Sequence, residues 1–115
     1  MNDFHQKLKT ITNQYAHDVY RVTKSFPKDE LFGVTSQLRR SALSVALNFI
    51  EGYARRKGAD CKVYRNFLDI AYGSLKESVY LLEFALIENY ISEENFKNLN
   101  ILSDEIGAML YKLRH

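Results

Sequence analysis

The segment TSQLRRSALSVALNFIEGYARRK, from Thr35 to Lys57, decides how this chain folds. At about 100° per residue in a helix, its polar side chains fall within an arc of roughly 80°. We call these residues the polar stripe: Gln37, Arg40, Ser44, Asn48, Glu51 and Arg55. Apolar residues fill most of the remaining circumference, about twice the ~100° that an ordinary surface helix needs. The segment therefore predicts a helix covered from two directions, by other helices of its own domain or by another subunit.

Three interpretations of the polar stripe are open. Its members are spaced to bond one another at i+4, as Arg40 with Ser44, Ser44 with Asn48 and Glu51 with Arg55, so the stripe can be a structural network that fixes helix register. The guanidinium groups of Arg40 and Arg55 also suit phosphate, which would make the stripe a binding groove. A catalytic role for Glu51 is the weakest interpretation, because no nucleophile or second acid is spaced around it.

Length and composition indicate one helical domain over residues 1–115. The chain is 26% charged and 46% hydrophobic, which fits a compact domain with a real core. One Pro and five Gly supply too few turn signals for a sheet-rich fold. Long helices are therefore expected.

The cysteine, the histidines and the hydropathy of the chain limit which kinds of site and which cellular location we expect. Cys61 is the single cysteine, so neither an intrachain disulfide nor a cysteine cluster is possible. The three histidines, His5, His17 and His115, are too scattered to suggest a metal site. No apolar run approaches the ~20 residues of a membrane span, and the first ten residues lack the apolar core of a secretory signal. We expect a cytoplasmic protein without metal, cofactor or catalytic residues.

The rest of the chain predicts three more helices. Apolar residues alternate by threes and fours from Phe4 to Phe26, which predicts a first helix capped by Asp3 and ended by Pro27. Leu31 and Phe32 are then expected to close the end of the core.

The third helix is expected over about Cys61–Asn89, with Asp60 as its cap. Gly73, with its small neighbours, makes the middle of that helix thin and predicts a close approach by another helix. Ser92 is a suitable cap for a fourth helix that runs to the C-terminus. Short connections make successive helices antiparallel neighbours, so the predicted fold is all-α, an up-down-up-down four-helix bundle.

That topology collects positive charge at one end of the bundle, which we call the basic end: Lys7, Lys9, Arg55, Arg56, Lys57, Lys62, Arg65, Lys112 and Arg114. Few acids, chiefly Asp3 and Asp60, are expected to offset it. The opposite end gathers Asp29, Glu30, Glu83, Glu88, Glu93 and Glu94. A concentrated basic surface attracts phosphate backbones without reading sequence. The candidate nucleic-acid contacts are Arg55, Arg56, Lys57, Lys62 and Arg65, and Tyr53 beside them is a candidate stacking ring; a merely solvated helix end is the alternative.

Two long motifs carry a family resemblance. The first is SFPKDELFGVTSQLRRSALSVALNFIEGYARR, residues 25–56, and the second is YRNFLDIAYGSLKES, residues 64–78. Together they resemble the family of small four-helix-bundle proteins known as 23S rRNA intervening-sequence proteins, which are similar in turn to the accessory variability protein of diversity-generating retroelements. The resemblance extends over nearly the whole chain.

The resemblance implies a non-enzymatic homo-oligomer, in the form of a pentameric ring or barrel, encoded in some bacteria within insertions in ribosomal RNA genes. The retroelement relatives are basic, bind nucleic acid and act with a reverse transcriptase. Carried onto this chain, the motif positions are Gln37, Arg39, Arg40, Asn48, Glu51, Gly52 and Arg55. The resemblance does not separate their structural roles from binding roles.

Three functions from different classes follow. The first is an oligomer that binds RNA or DNA through the basic end. The second is a protein-protein interaction scaffold without nucleic-acid binding, in which the polar stripe is structural. The third is an enzyme such as a nuclease, which is the weakest because the acids are not clustered as a metal-ion site requires.

Overall fold

The computed structural model describes residues 1–56 and 62–115. Three predictions lie outside those residues: Lys57 as a nucleic-acid contact, Asp60 as a helix cap, and Cys61 as the first residue of the third helix.

Four helices form the structure: α1 over Asp3–Thr23, α2 over Ser36–Arg55, α3 over Lys62–Ile87 and α4 over Glu93–Arg114. Helix α2 packs on α1 and α3, and α4 packs on α3 and α1, so each helix contacts its neighbours in chain order. No strand occurs within the described part of the chain. The predicted all-α four-helix bundle is confirmed.

The helix ends follow side-chain capping rules, with one correction. Asn2, not Asp3, caps α1: its side-chain oxygen accepts a hydrogen bond from the His5 backbone N–H at 2.9 Å. Asp3 lies in the first turn instead, where a negative charge favours the helix dipole. Ser92 caps α4 as predicted, accepting from the backbone N–H of Asn95 at 3.1 Å.

The core runs the full length of the bundle and is apolar except for His5 and a few threonine and serine hydroxyls. Among the described residues, the hydroxyl of Thr35 is the buried side-chain group without a hydrogen-bond partner. Its largest fully buried side chains include Tyr15, Phe49, Leu68 and Leu75. The hydroxyl of Tyr15 lies 2.7 Å from Oγ of Ser78, so a tyrosine fits the core because its polar tip has a partner. Burial raises the pKa of Tyr15 to about 12.

The connection between α1 and α2 differs from the prediction. After Pro27 the chain makes a short turn over Lys28–Glu30 and an irregular one over Leu31–Thr35, with non-helical backbone at Gly33. Leu31 is 47% exposed and Phe32 is 92% exposed, so the prediction that they close the core is wrong. Phe26 and Tyr90 pack there instead, with ring centroids 5.7 Å apart and the ring planes tilted by 51°.

Helices α2 and α3 approach closely, but not at the predicted glycine. A Cβ at Gly73 would meet nothing within 4 Å, because Gly73 is on the exposed side of α3. A Cβ at Gly52 of α2 would lie 2.7 Å from Cβ of Phe67, a distance that real Cβ atoms essentially never show. Gly52, rather than Gly73, is the residue that lets the two helices meet.

Candidate nucleic-acid interface at the basic end

Side chains from all four helices meet at the basic end. His5 of α1 contacts Tyr64 of α3, Lys112 of α4 lies over the Phe4 ring at 6.0 Å, and Arg114 of α4 binds Asp69 of α3. The start of α1, the end of α2, the start of α3 and the end of α4 are therefore neighbours. The topology brings the predicted basic residues that lie within 1–56 and 62–115 to one end of the molecule.

His5 is the buried centre of this end, with a relative exposure of 4%. Its ring stacks on Phe49 at a centroid distance of 6.2 Å and lies 5.0 Å from the Tyr53 ring. Its Nδ1 is 2.7 Å from the side-chain oxygen of Asn2, and its Nε2 is 3.0 Å from the hydroxyl of Tyr64. Both ring nitrogens thus have hydrogen-bonding partners, as a buried polar group requires.

These contacts assign the tautomer of His5. The side-chain oxygen of Asn2 already accepts from the His5 backbone N–H, so it is an acceptor and Nδ1 of the ring must donate to it. Nε2 is then the acceptor in neutral imidazole, and it receives the hydroxyl of Tyr64. Burial and, after it, the positive charges of Arg56 and the amino terminus lower the pKa of His5 below 6.5. The neutral form is therefore the native one at pH 7.

Arg56, directly after α2, is held against this cluster. Its guanidinium carbon lies 5.1 Å from the Tyr53 ring centroid and 5.7 Å from that of Tyr64. Its Nη1 is 3.4 Å from Nε2 of His5, a longer contact in which the arginine donates. Cation–π contacts of this kind orient a guanidinium at a protein surface. Arg56 is exposed overall, so part of its donor fork remains available to an anion.

Three of the other basic residues form ion pairs with acids that the sequence analysis did not place at this end; its expectation for Asp60 lies outside the described residues. Lys7 binds Glu105 at 2.9 Å, Arg55 binds Glu51 at 3.0 Å, and Arg114 binds Asp69 at 2.7 Å. Each pair is largely exposed, where such contacts contribute about 0–1 kcal/mol. The pairs nevertheless reduce the net positive charge of the basic end.

The remaining predicted contacts are placed differently from one another. Arg65 is exposed in the first turns of α3. Lys9 on α1 and Lys112 on α4 are exposed as well. Lys62 is exposed at the start of α3 and is engaged in a contact of its own. Four of the five predicted nucleic-acid contacts lie within the described residues. Arg55 is in an ion pair and Lys62 has a contact of its own, whereas Arg56 and Arg65 are exposed and belong to none of the three ion pairs.

The polar stripe divides between a bonded middle and exposed ends. Oγ of Ser44 lies 2.8 Å from Oγ of Ser74 on α3, and Asn48 donates to both Oγ and the carbonyl of Ser44 at 2.8 Å. Arg40 does not reach Ser44, contrary to the predicted pairing; like Gln37 and Glu51, it is exposed. Around Ser44 the stripe thus joins α2 to α3 by a hydrogen bond between side chains.

Acidic groups converge at the opposite end of the bundle. The hydroxyl of Tyr90 donates to the carboxylate of Glu30 at 2.9 Å. This hydrogen bond, together with the negative charges of Glu30, Glu88 and Asp29, raises the pKa of Tyr90 above 10.0. The two ends therefore differ in electrostatic character despite a formal net charge of only +2.

Metal binding and membrane insertion find no support in the described residues. No group of three His, Cys, Asp or Glu residues in 1–56 and 62–115 is placed to hold a metal ion. In the same part of the chain, no helix combines the length and apolar character needed to cross a bilayer.

His5 is the residue that the sequence analysis missed. Helical periodicity places it beside the apolar positions Phe4 and Leu8, but periodicity does not tell a buried histidine from an exposed one. A usable signal was the spacing of Asn2 and His5, since an N-cap side chain lies close to the residue three positions later.

The chain is similar to proteins of a known family and to a solved structure. A family model described as 23S rRNA-intervening sequence protein matches residues 6–112. A solved structure of a protein with unknown function from the S23 ribosomal protein family, from Bacteroides thetaiotaomicron VPI-5482, is similar with a TM-score of 0.80 and 24% sequence identity. The match covers 93% of this chain and 97% of that one, and at this identity it shows the fold. The comparison with curated protein sequences gave no match.

Proposed function

Because the chain belongs to the 23S rRNA-intervening sequence protein family, we propose that it is a non-catalytic, homo-oligomeric bundle that binds structured RNA or DNA through its basic end. The observation that carries this proposal is the position of Arg56. The Tyr53 and Tyr64 rings and the His5 ring hold its guanidinium at the surface. A preoriented guanidinium loses less freedom when it binds a phosphate.

The proposed contacts are ranked by their pairing in the free protein. Arg56 and the exposed Arg65 come first. Arg55 comes later, because a phosphate must compete with the Glu51 carboxylate that already binds it. Lys62 and Lys57 are retained as flanking contacts. Tyr53 supplies an aromatic face beside Arg56, on which an unpaired base of a structured RNA can stack.

Assembly strengthens the proposed binding. Copies that share one orientation place several basic ends side by side, so weak phosphate contacts act together. We include in this proposal the pentameric ring and the similarity to the retroelement accessory variability protein that the two sequence motifs imply. Cytoplasmic localisation belongs to it as well, since RNA and DNA are the proposed partners.

The test is a binding titration with a structured RNA hairpin and a DNA duplex of equal length, each at 50 and 200 mM salt. Arg56→Gln and Arg65→Gln should each weaken binding at both salts and should lower the slope of log affinity against log salt by roughly 0.7–0.9. Lys28→Gln, an exposed change at the opposite end, is the matched control and should leave the slope unchanged. Binding that is absent or insensitive to salt contradicts the proposal.

A protein-protein scaffold is the second candidate, and the exposure of Phe32 favours it. This aromatic ring is 92% exposed at the acidic end, beside Leu31, away from the basic residues. Capture experiments with nuclease-treated extract separate the two candidates. A partner retained by the native protein, lost with Phe32→Ser and kept with Arg56→Gln supports the scaffold.

A further inference from the structure

The outward edge of α3 carries an apolar series with no cover in the single chain. Exposed apolar or aromatic residues recur along it at Val63, Ile70, Tyr80, Phe84 and Ile87, with exposures from 38% to 77%. Asn66, Gly73 and Glu77 complete the alternation of threes and fours from 63 to 87. This rhythm is the one with which a helix packs against another helix. We call the series the α3 seam.

Helix α2 carries a second seam of the same kind on its outward side. Arg40, Leu43, Leu47, Ile50 and Ala54 alternate by threes and fours and are all exposed. Leu47 is 58% exposed, although it is in the middle of the helix. We call this series the α2 seam. Its apolar residues account for the half of the α2 circumference that the helices of its own chain leave uncovered.

We propose that the α2 seam of one copy packs antiparallel against the α3 seam of a second copy, with Arg40 facing Glu77. This inference deepens the proposed function, since it rests on the proposed homo-oligomer and names its interface. In this register Leu43 faces Gly73, Leu47 faces Ile70, Ile50 faces Asn66 and Ala54 faces Val63.

Charge and shape both fit this register. Arg40 and Glu77 carry opposite charges, and neither forms an ion pair within residues 1–56 and 62–115. Gly73 has open space around it, so the side chain of Leu43 can enter where a larger residue would hold the helices apart. A glycine in the middle of a helix costs about 1 kcal/mol against alanine, and packing inside the single chain gives no reason for one at this position.

The register also bears on the exposed turn before α2. Beyond Ser36, where α2 begins, the backbone is irregular, so the residue-by-residue alignment ends there. The antiparallel direction still brings that turn, with Phe32 92% exposed, to the end of the interface at which Ile87 is 77% exposed.

The pairing is heterologous, and copies related by it point the same way. Within one copy Ser44 of α2 is level with Ser74 of α3, and between copies Leu43 would face Gly73. The two alignments differ by about two residues, or roughly 3 Å along the helix. A shift of this size is small beside the length of the bundle, so the pairing is compatible with a ring, which forms when the rotation between copies closes. In such a ring the basic ends lie on one rim.

Disulfide trapping tests the register. In a Cys61→Ser background, a Leu43→Cys chain mixed with a Gly73→Cys chain should give a covalent dimer on mild oxidation, whereas each chain alone should stay uncrosslinked. A chain with both substitutions should give a ladder of covalent multimers. The matched control is Leu43→Cys mixed with Tyr80→Cys, which pairs if the helices run parallel or if the antiparallel register is shifted by seven residues. Crosslinking of that control instead, or of Leu43→Cys with itself, overturns the proposal.

Charge exchange provides a second test that needs no crosslink. Arg40→Glu and Glu77→Arg are exposed changes, so circular dichroism should show a folded bundle in each. Each should lower the mass of the assembled protein in sedimentation velocity, and the double variant should restore it. A double variant no better than the single ones overturns the pairing.

The outcome for the interface is separable from the outcome for nucleic-acid binding. An assembled protein that binds RNA but never crosslinks 43 to 73 refutes the interface and leaves the proposed binding standing. An assembly that crosslinks at 43 and 73 but binds no polyanion supports the interface and refutes the proposed nucleic-acid binding. A protein with the mass of a single chain refutes the interface whatever it binds.

Discussion

The two sides of α2 differ in how far the single chain covers them. Toward α3, the helix gives up side-chain volume at Gly52 and uses the small polar Ser44 to bond across the contact, so the two backbones come close. On its outward side it carries Leu43 and Leu47, which the single chain leaves 40% and 58% exposed. The inner side is buried within one copy, whereas the outer side stays partly exposed. A helix this apolar is explained only when both sides are considered.

Removal of the largest inner side chain should have the largest effect. Phe49 is fully buried and its ring stacks on His5. Phe49→Ala should lower the free energy of unfolding by about 3–5 kcal/mol, because it leaves a cavity in the core. Urea unfolding at a fixed protein concentration measures the change, since the stability of an oligomer depends on concentration. A loss below about 1 kcal/mol would mean that the inner side is not tightly packed.

A methyl group added on the two sides of the α2–α3 pair should act in opposite directions. Gly52→Ala forces a Cβ to within 2.7 Å of the Phe67 Cβ and should cost about 1–3 kcal/mol, the usual cost of overpacking. Gly73→Ala meets no atom of its own chain and should stabilise the single subunit by up to about 1 kcal/mol through helix propensity. Urea unfolding compares the two substitutions in a Leu47→Glu background, in which the copies are expected to stay apart and the proposed contact of Gly73 with a second copy is absent. Equal effects of the two substitutions would contradict the assignment of the close approach to Gly52.

The hydroxyl contact between α2 and α3 should contribute less. Ser44→Ala removes the partner of Ser74 and one of the two acceptors of Asn48, and it should cost about 0.5–1.5 kcal/mol. Ser41→Ala is the matched control, since its hydroxyl binds only a carbonyl of its own helix at 3.1 Å. A loss for Ser41→Ala as large as that for Ser44→Ala would show that the bond between the helices adds nothing.

The smallest expected effect is a dependence on pH through His5. Its pKa is lowered in the folded protein, so between that value and 6.5 the unfolded chain binds more protons than the folded one. The stability contribution is complete above pH 6.5 and is lost as the pH falls through the lowered pKa. Unfolding free energies at pH 7.5 and 5.5 should therefore differ less for His5→Phe than for the native protein. The exposed His17→Gln is the control and should keep the native difference.

The sequence predicted those features that depend on local periodicity. Four helices, the Ser92 cap and the doubly apolar character of α2 follow from the spacing of residues along the chain. Features that depend on which residues meet across the bundle were not predictable in this way. Both Gly52 and Gly73 interrupt a helix, and periodicity alone could not tell which one faces a neighbour.

The candidate site shows the same limit. Composition and topology placed basic residues at one end of the bundle. The ion pairs of Arg55 with Glu51 and of Arg114 with Asp69 depend on side-chain geometry, and the second joins two helices. The ring of His5 meets Tyr64 across 59 residues of sequence. No motif encodes that contact, so the support of Arg56 emerged only from the fold.

The measurement that decides whether the outer side of α2 is shared between copies is the mass of the protein in solution. Sedimentation equilibrium at micromolar concentration should give a mass of two or more whole chains of 13.4 kDa. Leu47→Glu, an exposed change that leaves the inner side intact, should reduce that mass to one chain without loss of helical signal. A native protein that sediments as a single 13.4 kDa chain would contradict the assembly of copies through α2.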